Sequence, residues 1–499
     1  MFKFNSLLVL FGIVSIVVFG ASIDTIKSSI PSVAQSVWEI PIYQRAVDLN
    51  KGFVKEIDIV VIKNVDSKPQ DEYYFLPNDG FDSIDQLSVF AGVLNDNERV
   101  EFDYTEVVPN KVFLIKLPIP VAPNSEITLK FNYIYSGQLH AVPREISMDT
   151  VQTLLYKTNK FPLSPYPISE YTLLFQGLTK GEEYTIDGVD FVTENPPALG
   201  GPDVNPDQGI VSFGPITGKI APFTVVPLGL KYDHNRPLTK VSNLYRSIWI
   251  PASDVNRLSV EEYYELTNSG ANLNSGFNRV EWMKGRFDSI RNHWALSHLE
   301  FPLSKDRNMT DYYFTDKVGV VSTHKLIDKY LVLKPRFPLF GGWKYNFTLG
   351  WTEPLDLFLH KLHNSTDEYI IRAPLLNTLR DSSYDSVYLQ FYLPENSEFL
   401  EISSPIAYDS LEVDNELSYL DVSKGHVKVT IGYKNLVDDL YKLDVFVKYK
   451  YTQFDYYKKV AKISGLIFLA LISYYLIGLI DLSIEKEKKT TEVVEEKKK

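Results

Sequence analysis

Near one end of this 499-residue chain, eighteen consecutive residues carry no charge: Ile463 to Ile480, ISGLIFLALISYYLIGLI. At a rise of about 1.5 Å per residue, such a helix measures roughly 27 Å, close to the hydrocarbon thickness of a bilayer. The segment is therefore predicted to be a transmembrane helix. Lys458, Lys459 and Lys462 precede it and Asp481 follows it. A buried core helix is the competing reading. Uniform apolarity argues against it, as do residues 481–499, which hold six acids and six lysines. Ser473, Tyr474 and Tyr475 fall mid-span, where polar groups seek partners on neighbouring helices.

The other end carries Lys3, an almost unbroken apolar run from Leu7 to Phe19, and the small residues Gly20, Ala21 and Ser22. Residues 1–22 are thus predicted to be a cleaved secretory signal peptide, because about 13 apolar residues are too few for a spanning helix. Lysines flank the later span on both sides, so charge bias alone does not orient it. The signal peptide does: the chain up to about Tyr457 is delivered to the lumen, and residues 481–499 remain as a cytoplasmic tail. The expected topology is single-pass type I. The terminal EEKKK resembles dilysine-type retrieval signals, with Glu495 and Glu496 where a second lysine would stand.

Composition narrows the chemistry. Cysteine is absent, which excludes disulfide frameworks, thiolate metal sites and cysteine nucleophiles. The net charge is -12 and no basic run interleaved with aromatics occurs in the body, so a nucleic-acid partner is excluded. Stability must come from buried apolar surface, which 32 Tyr and 29 Phe can supply.

Between the two ends, strand signals dominate. Period-two or β-branched runs include EIDIVVIK from Glu56, VFLIKL from Val112, EITLKFNYIY from Glu126, VYLQFYL from Val387 and the stretch from Lys442 to Tyr451. In the last, Leu443, Val445, Val447, Tyr449 and Tyr451 share one face, a one-sided pattern that favours antiparallel sandwiches over parallel sheets. The polar stretch Asp233 to Pro237 is the expected seam. The predicted fold is mainly β: two lumenal antiparallel β-sandwich-like domains, 23–235 and 236–457, followed by the helix 463–480. Ser147 to Lys157 is a candidate helix, and no short repeat period is visible.

Candidate sites are few. Asn308 (NMT), Asn346 (NFT) and Asn364 (NST) are N-glycosylation sequons, which the expected lumenal location makes usable. On a strand, Asn346 and Thr348 would share the outward face. There is no G-x-S-x-G, H-E-x-x-H, G-x-G-x-x-G or P-loop, and no Asp-x-Asp. His360 and His363 lack a third ligand nearby, so surface or packing roles are expected for them. Asp438-Asp439 and Glu261-Glu262 would point to opposite faces of strands and are read as solvated. The six tryptophans are read mainly as core.

One stretch is distinctive: Lys334 to Gly350, KPRFPLFGGWKYNFTLG. It resembles the hallmark segment of the ribophorin I family, the large single-span subunit of the endoplasmic-reticulum oligosaccharyltransferase, through Arg336, Phe337, Pro338, Phe340, Gly341, Gly342 and Trp343. Physically this is a proline turn, a glycine pair that permits close backbone approach, and an aromatic anchor, most simply a structural corner. WEIPIYQRAVDL, FPLSPYPISEYTLLF, LSVEEYYELTNSGANL and VTIGYKNLVDDL agree in order along the chain. Family members often carry asparagine where Val320 stands here. The resemblance implies a non-catalytic role, without cofactor, in the complex that moves a preassembled oligosaccharide from dolichyl diphosphate to Asn of Asn-x-Ser/Thr in nascent chains. It implies as partners a multi-spanning catalytic subunit, other subunits, the protein-conducting channel and the nascent polypeptide, at the endoplasmic-reticulum membrane. A free-standing β-sandwich receptor and an autonomous glycan-acting enzyme are the alternatives.

Overall fold

Period-two burial organises the molecule. The strand Val54–Asn64 buries every second residue, and Trp38–Asp48 and Leu258–Asn268 alternate in nearly the same way. Such strands bury one face against another layer and leave the second accessible. The computed structural model describes residues 23–480, apart from 78–86, 95–101, 179–180, 185, 187–191, 201, 206, 253–255, 288–293, 304–308, 328, 364, 366, 419–420 and 422–423. The predicted signal peptide, the predicted tail, and the sequons at Asn308 and Asn364 lie outside the described residues.

Two apolar cores result, one running from Ile26 to Leu238 and the other from Val241 to Tyr451. Around each, the strands follow one plan. The first unit's main sheet has the spatial order Asp203–Asn205, Ile210–Ile220, Ile168–Gln176, Trp38–Asp48, Val54–Asn64, Glu126–Tyr135, Leu87–Leu94. The second unit's has Ser410–Glu416, His426–Val437, Ser382–Glu395, Thr239–Trp249, Leu258–Asn268, Lys344–Glu353, Thr310–Asp316, with Gly319–Val320 added at the edge. Position by position, the strands occur in the same chain order. The same holds for the four-stranded facing sheets and for the three-stranded sheets. The molecule is therefore a tandem of one β architecture, a repetition too long in period to show as a short repeat.

Most ladders are antiparallel, but each main sheet contains one parallel pair. Trp38–Asp48 runs parallel to Ile168–Gln176, and Thr239–Trp249 parallel to Ser382–Glu395. Parallel neighbours need a long crossover; in each unit it contains the three-stranded sheet and two of the four strands of the facing sheet. Ser147 to Lys157 is not a helix. After a turn, Thr153–Asn159 forms a strand paired on both sides, with Leu154, Tyr156 and Thr158 buried, so ladder formation outweighs local helical preference.

Each sandwich also buries an arginine at the eighth position of its central strand. Arg45 Nε lies 2.5 Å from Glu56 Oε1, and Arg45 Nη1 donates to the carbonyl of Asn159 at 2.6 Å. Arg246 Nε lies 3.2 Å from Glu262 Oε1, and its Nη1 donates to the carbonyl of Pro374, also at 2.6 Å. Asn159 and Pro374 are the last residues of corresponding strands in the two facing sheets. Each guanidinium thus ties one sheet to the other across the core. Asp58, hydrogen-bonded to the hydroxyls of Tyr43 and Tyr133, sits beside Glu56. Burial, then the Glu56 charge, push its carboxyl well above the usual range. Arg45→Met would leave these acids without their cation and is expected to cost about 3 to 5 kcal/mol, whereas Arg45→Met with Glu56→Leu should recover most of it. Denaturant unfolding of the three proteins measures the difference.

The chain closes in the helix Gln453–Leu479, which starts ten residues before the apolar run. A capping box holds its start: the Thr452 hydroxyl accepts from the Asp455 N–H, and the Asp455 carboxylate accepts from the Thr452 N–H. It is long and apolar enough to cross a membrane, and none of its apolar window is buried.

Candidate functional site

Where the two units meet, the segment carrying Gly341 crosses the backbone of residues 270–272. A Cβ on Gly341 would lie 2.1 Å from the carbonyl oxygen of Ala271, so only glycine permits the approach. Gly342 adopts φ +77° and donates to the carbonyl of Asn268 at 2.7 Å. Buried Asn268 is the hub of this corner: its Nδ2 donates to the carbonyls of Trp294 and Leu339, and its Oδ1 accepts from the N–H groups of Leu238 and Gly270. Gln152, from the first unit, joins in. Its Nε2 donates to the carbonyls of His234 and Arg236 and its Oε1 accepts from Ala271 N–H at 2.8 Å. A second tie crosses the seam from Lys51, whose ammonium reaches Asp438 at 2.9 Å and Asp439 at 2.8 Å.

Beside this corner opens a cleft of about 1290 Å³ between the helix Arg279–Phe287, the seam residues 235–237 and the segment 334–338. Phe277, Trp282 and Phe337 contribute rings to its lining, and the first two rest on a buried aromatic cluster. Phe340 is buried, with Trp294, Trp282 and Trp343 at ring-centroid distances of 5.0, 5.7 and 5.4 Å. Phe277, Met283 and Phe337 leave apolar surface exposed at its rim. Its charges are mixed: Arg236, Arg279, Lys284 and Lys334 line it together with Asp149, Glu281, Glu300 and Asp381.

The seven segment residues come together here, in distinct roles. Arg336 binds Asp316 at 2.6 Å and donates to the carbonyls of Gly319 and Val320. Partial burial would lift the Asp316 carboxyl, but hydrogen bonds from Arg336, the Val318 N–H and Tyr345 hold it below the usual range. Phe337 sets its edge against Trp343 and Tyr345. Pro338 lines the cleft, and the glycine pair permits the close approach to residues 268–272. Asn346 lies elsewhere, on the strand Lys344–Glu353. It is half-buried on the face away from Tyr345, Phe347 and Leu349, and its Nδ2 donates to the Tyr263 hydroxyl at 3.0 Å.

Two carboxylate pairs behave differently from their reading as solvated. Asp438 and Asp439 sit on a 3-10 turn, not a strand, and both converge on Lys51. Glu262 faces the core and Arg246, while Glu261 accepts from Tyr313 outside. Trp38, Trp294 and Trp351 are core residues, and Trp249 stacks on Tyr392 at 3.8 Å. Among the described residues, no group of three or more His, Asp or Glu is placed to hold a metal ion. Rings and charges of both signs in an open cleft are suited to recognition. No sequence signal pointed to Gln152, Asn268 or Lys51, which act through partners distant in the chain.

Gly341→Ala is expected to open the seam, lowering the melting temperature by several degrees and exposing residues 334–343 to protease. Gly276→Ala, whose Cβ would meet nothing within 4 Å, should change neither. His234, buried at the seam, gives a second test. Burial, and then Arg236, lower its pKa from 6.5 to about 4. The unfolded chain therefore binds the extra proton: stability is complete above pH 6.5 and falls as pH drops toward 4. Acidification from pH 6.5 to 5 should cost about 1.5 kcal/mol at this site. A His234→Asn variant should lose that part of the pH dependence, and melting series with equal slopes for both proteins would contradict it.

The family profile described as Ribophorin I matches residues 38–478. A Schizosaccharomyces pombe protein named dolichyl-diphosphooligosaccharide–protein glycosyltransferase subunit 1 is 27% identical over 453 residues, covering 89% of this chain and 96% of its own. A Caenorhabditis elegans protein of the same name is 24% identical, over 81% of this chain and 66% of its own. A rice protein named as subunit 1B is 24% identical, over 83% and 85%.

Proposed function

Because the chain belongs to the ribophorin I family, as the match across residues 38–478 establishes, we propose that it is a non-catalytic subunit of an oligosaccharyltransferase complex of the endoplasmic-reticulum membrane. The complex would transfer a preassembled oligosaccharide from dolichyl diphosphate to Asn of Asn-X-Ser/Thr in nascent polypeptides. The observation that carries this reading is the family match together with relatives named as subunit 1 that align along most of the chain. The chemistry of this chain supports it: rings and charges of both signs are gathered in a cleft, whereas the sequence holds no motif of hydrolytic or nucleotide-sugar chemistry.

In this reading the two β units, 23–235 and 236–457, lie in the lumen, the helix Gln453–Leu479 spans the membrane once, and residues 481–499 are cytoplasmic. A multi-spanning catalytic subunit is the principal partner, with the protein-conducting channel and nascent chain close by. Glycans at Asn308, Asn346 and Asn364 belong to the same proposal, since they require lumenal exposure. The Arg336 to Trp343 segment serves as the brace that holds the cleft open between the units.

Purification of the full chain in mild detergent tests the reading. A multi-spanning membrane protein with transferase activity is expected to co-purify, and the chain stripped of it should transfer no oligosaccharide to an acceptor peptide. A chain that sediments alone, or one that turns over alone, would contradict the proposal.

A further inference from the structure

The helix Gln453–Leu479 meets the second β unit before it reaches the apolar run. Thr452, Asp455, Tyr456, Lys459, Lys462 and Ile463 are partly covered, while Phe454, Tyr457, Lys458, Val460 and Ala461 are exposed. Covered positions spaced by three and four residues lie on one helix face, so one side of this stub rests against the protein. Tyr456 packs on the second apolar core.

On that face, Lys459 points at two carboxylates. Its ammonium lies 2.8 Å from Asp421 Oδ1 and 3.2 Å from Glu395 Oε2. The Asp421 and Glu395 side chains are 0% and 1% exposed, and that of Lys459 29%. Asp421 also accepts from Ser418 N–H at 2.8 Å, and His426 Nε2 stands 3.6 Å from it. An exposed ion pair contributes little to stability, but buried carboxylates that lose their cation are costly. With the helix seated, both acids are enclosed and share its ammonium, so helix placement and carboxylate burial are coupled.

Lys459 lies four residues before Ile463, about 6 Å along the helix axis and within the headgroup layer if the apolar run fills the hydrocarbon. We propose that Lys459 is a clamp that locks the membrane helix to the second β unit, so that span and sandwich move as one body and the β units are held at a fixed height and tilt over the bilayer. The clamp rests on the reading of this helix as a membrane span, but not on membership of a complex.

The absence of native cysteine allows a direct test. Glu412→Cys on the exposed edge strand and Ala461→Cys on the helix would carry the only two spin labels in the full chain, reconstituted in lipid nanodiscs. Pulsed dipolar spectroscopy should give one narrow distance distribution. Lys459→Arg should preserve it. The triple variant Glu395→Gln, Asp421→Asn, Lys459→Met removes all three charges without stranding any. It should keep the melting temperature of the β core yet broaden the distribution at least twofold. A distribution already broad in the parent, or one as narrow in the triple variant as in the parent, overturns the clamp. Co-purification reads complex membership separately, so the two failures are distinguishable.

Discussion

An arginine buried between two sheets is expensive unless every donor finds a partner, and meeting that requirement determines how each half of this protein closes. Arg45 and Arg246 occupy the same place on corresponding strands, pair with an acid on the next strand, and donate to the terminal carbonyl of a corresponding strand opposite. A shift of either sheet by one residue would break the cross-sheet bond and strand a charge. Apolar packing alone tolerates such slips better. The charges therefore set the relative position of the layers, and the apolar residues fill the space between them.

With both sandwiches fixed, their junction becomes a defined object. Gln152, Asn268 and the Gly341-Gly342 pair satisfy backbone groups that would otherwise be stranded between the units, and the Lys51 contact to Asp438 and Asp439 adds a tie beyond them. The aromatic cluster of Trp294 and Phe340 packs with Ala271 at this junction. A comparable device recurs in the second unit, where an ammonium from the helix Gln453–Leu479 answers two enclosed carboxylates. At each of these places a group from one element satisfies a buried group on another, and this is how a chain without disulfides can act as a linked series of rigid parts.

Much of the architecture was legible in the sequence because it depends on periodicity. Alternation in EIDIVVIK and in the Lys442 to Tyr451 run follows from a face of the strand being buried, and the apolar helix follows from composition. The resemblance at Arg336 to Trp343 was equally visible, and the glycine pair proved to be the close approach that its chemistry suggests. The tandem repetition was not visible, because WEIPIYQRAVD and TKVSNLYRSIW share the inward alternation and the arginine but few other residues. Inward charges were hidden for a related reason. Glu262 and Asp438 look solvated until the partner is placed, Arg246 directly across on the neighbouring strand and Lys51 from the other unit. The helix assigned to Ser147 to Lys157 failed because hydrogen bonds to two neighbouring strands decide its conformation, and neither neighbour is local.

All of the proposed biology depends on which side of the membrane the β units occupy. Protease protection in sealed microsomes measures this most directly. Added protease should trim only the short C-terminal tail and leave a large fragment intact until detergent is added, whereas digestion of the β units in sealed vesicles would contradict the account.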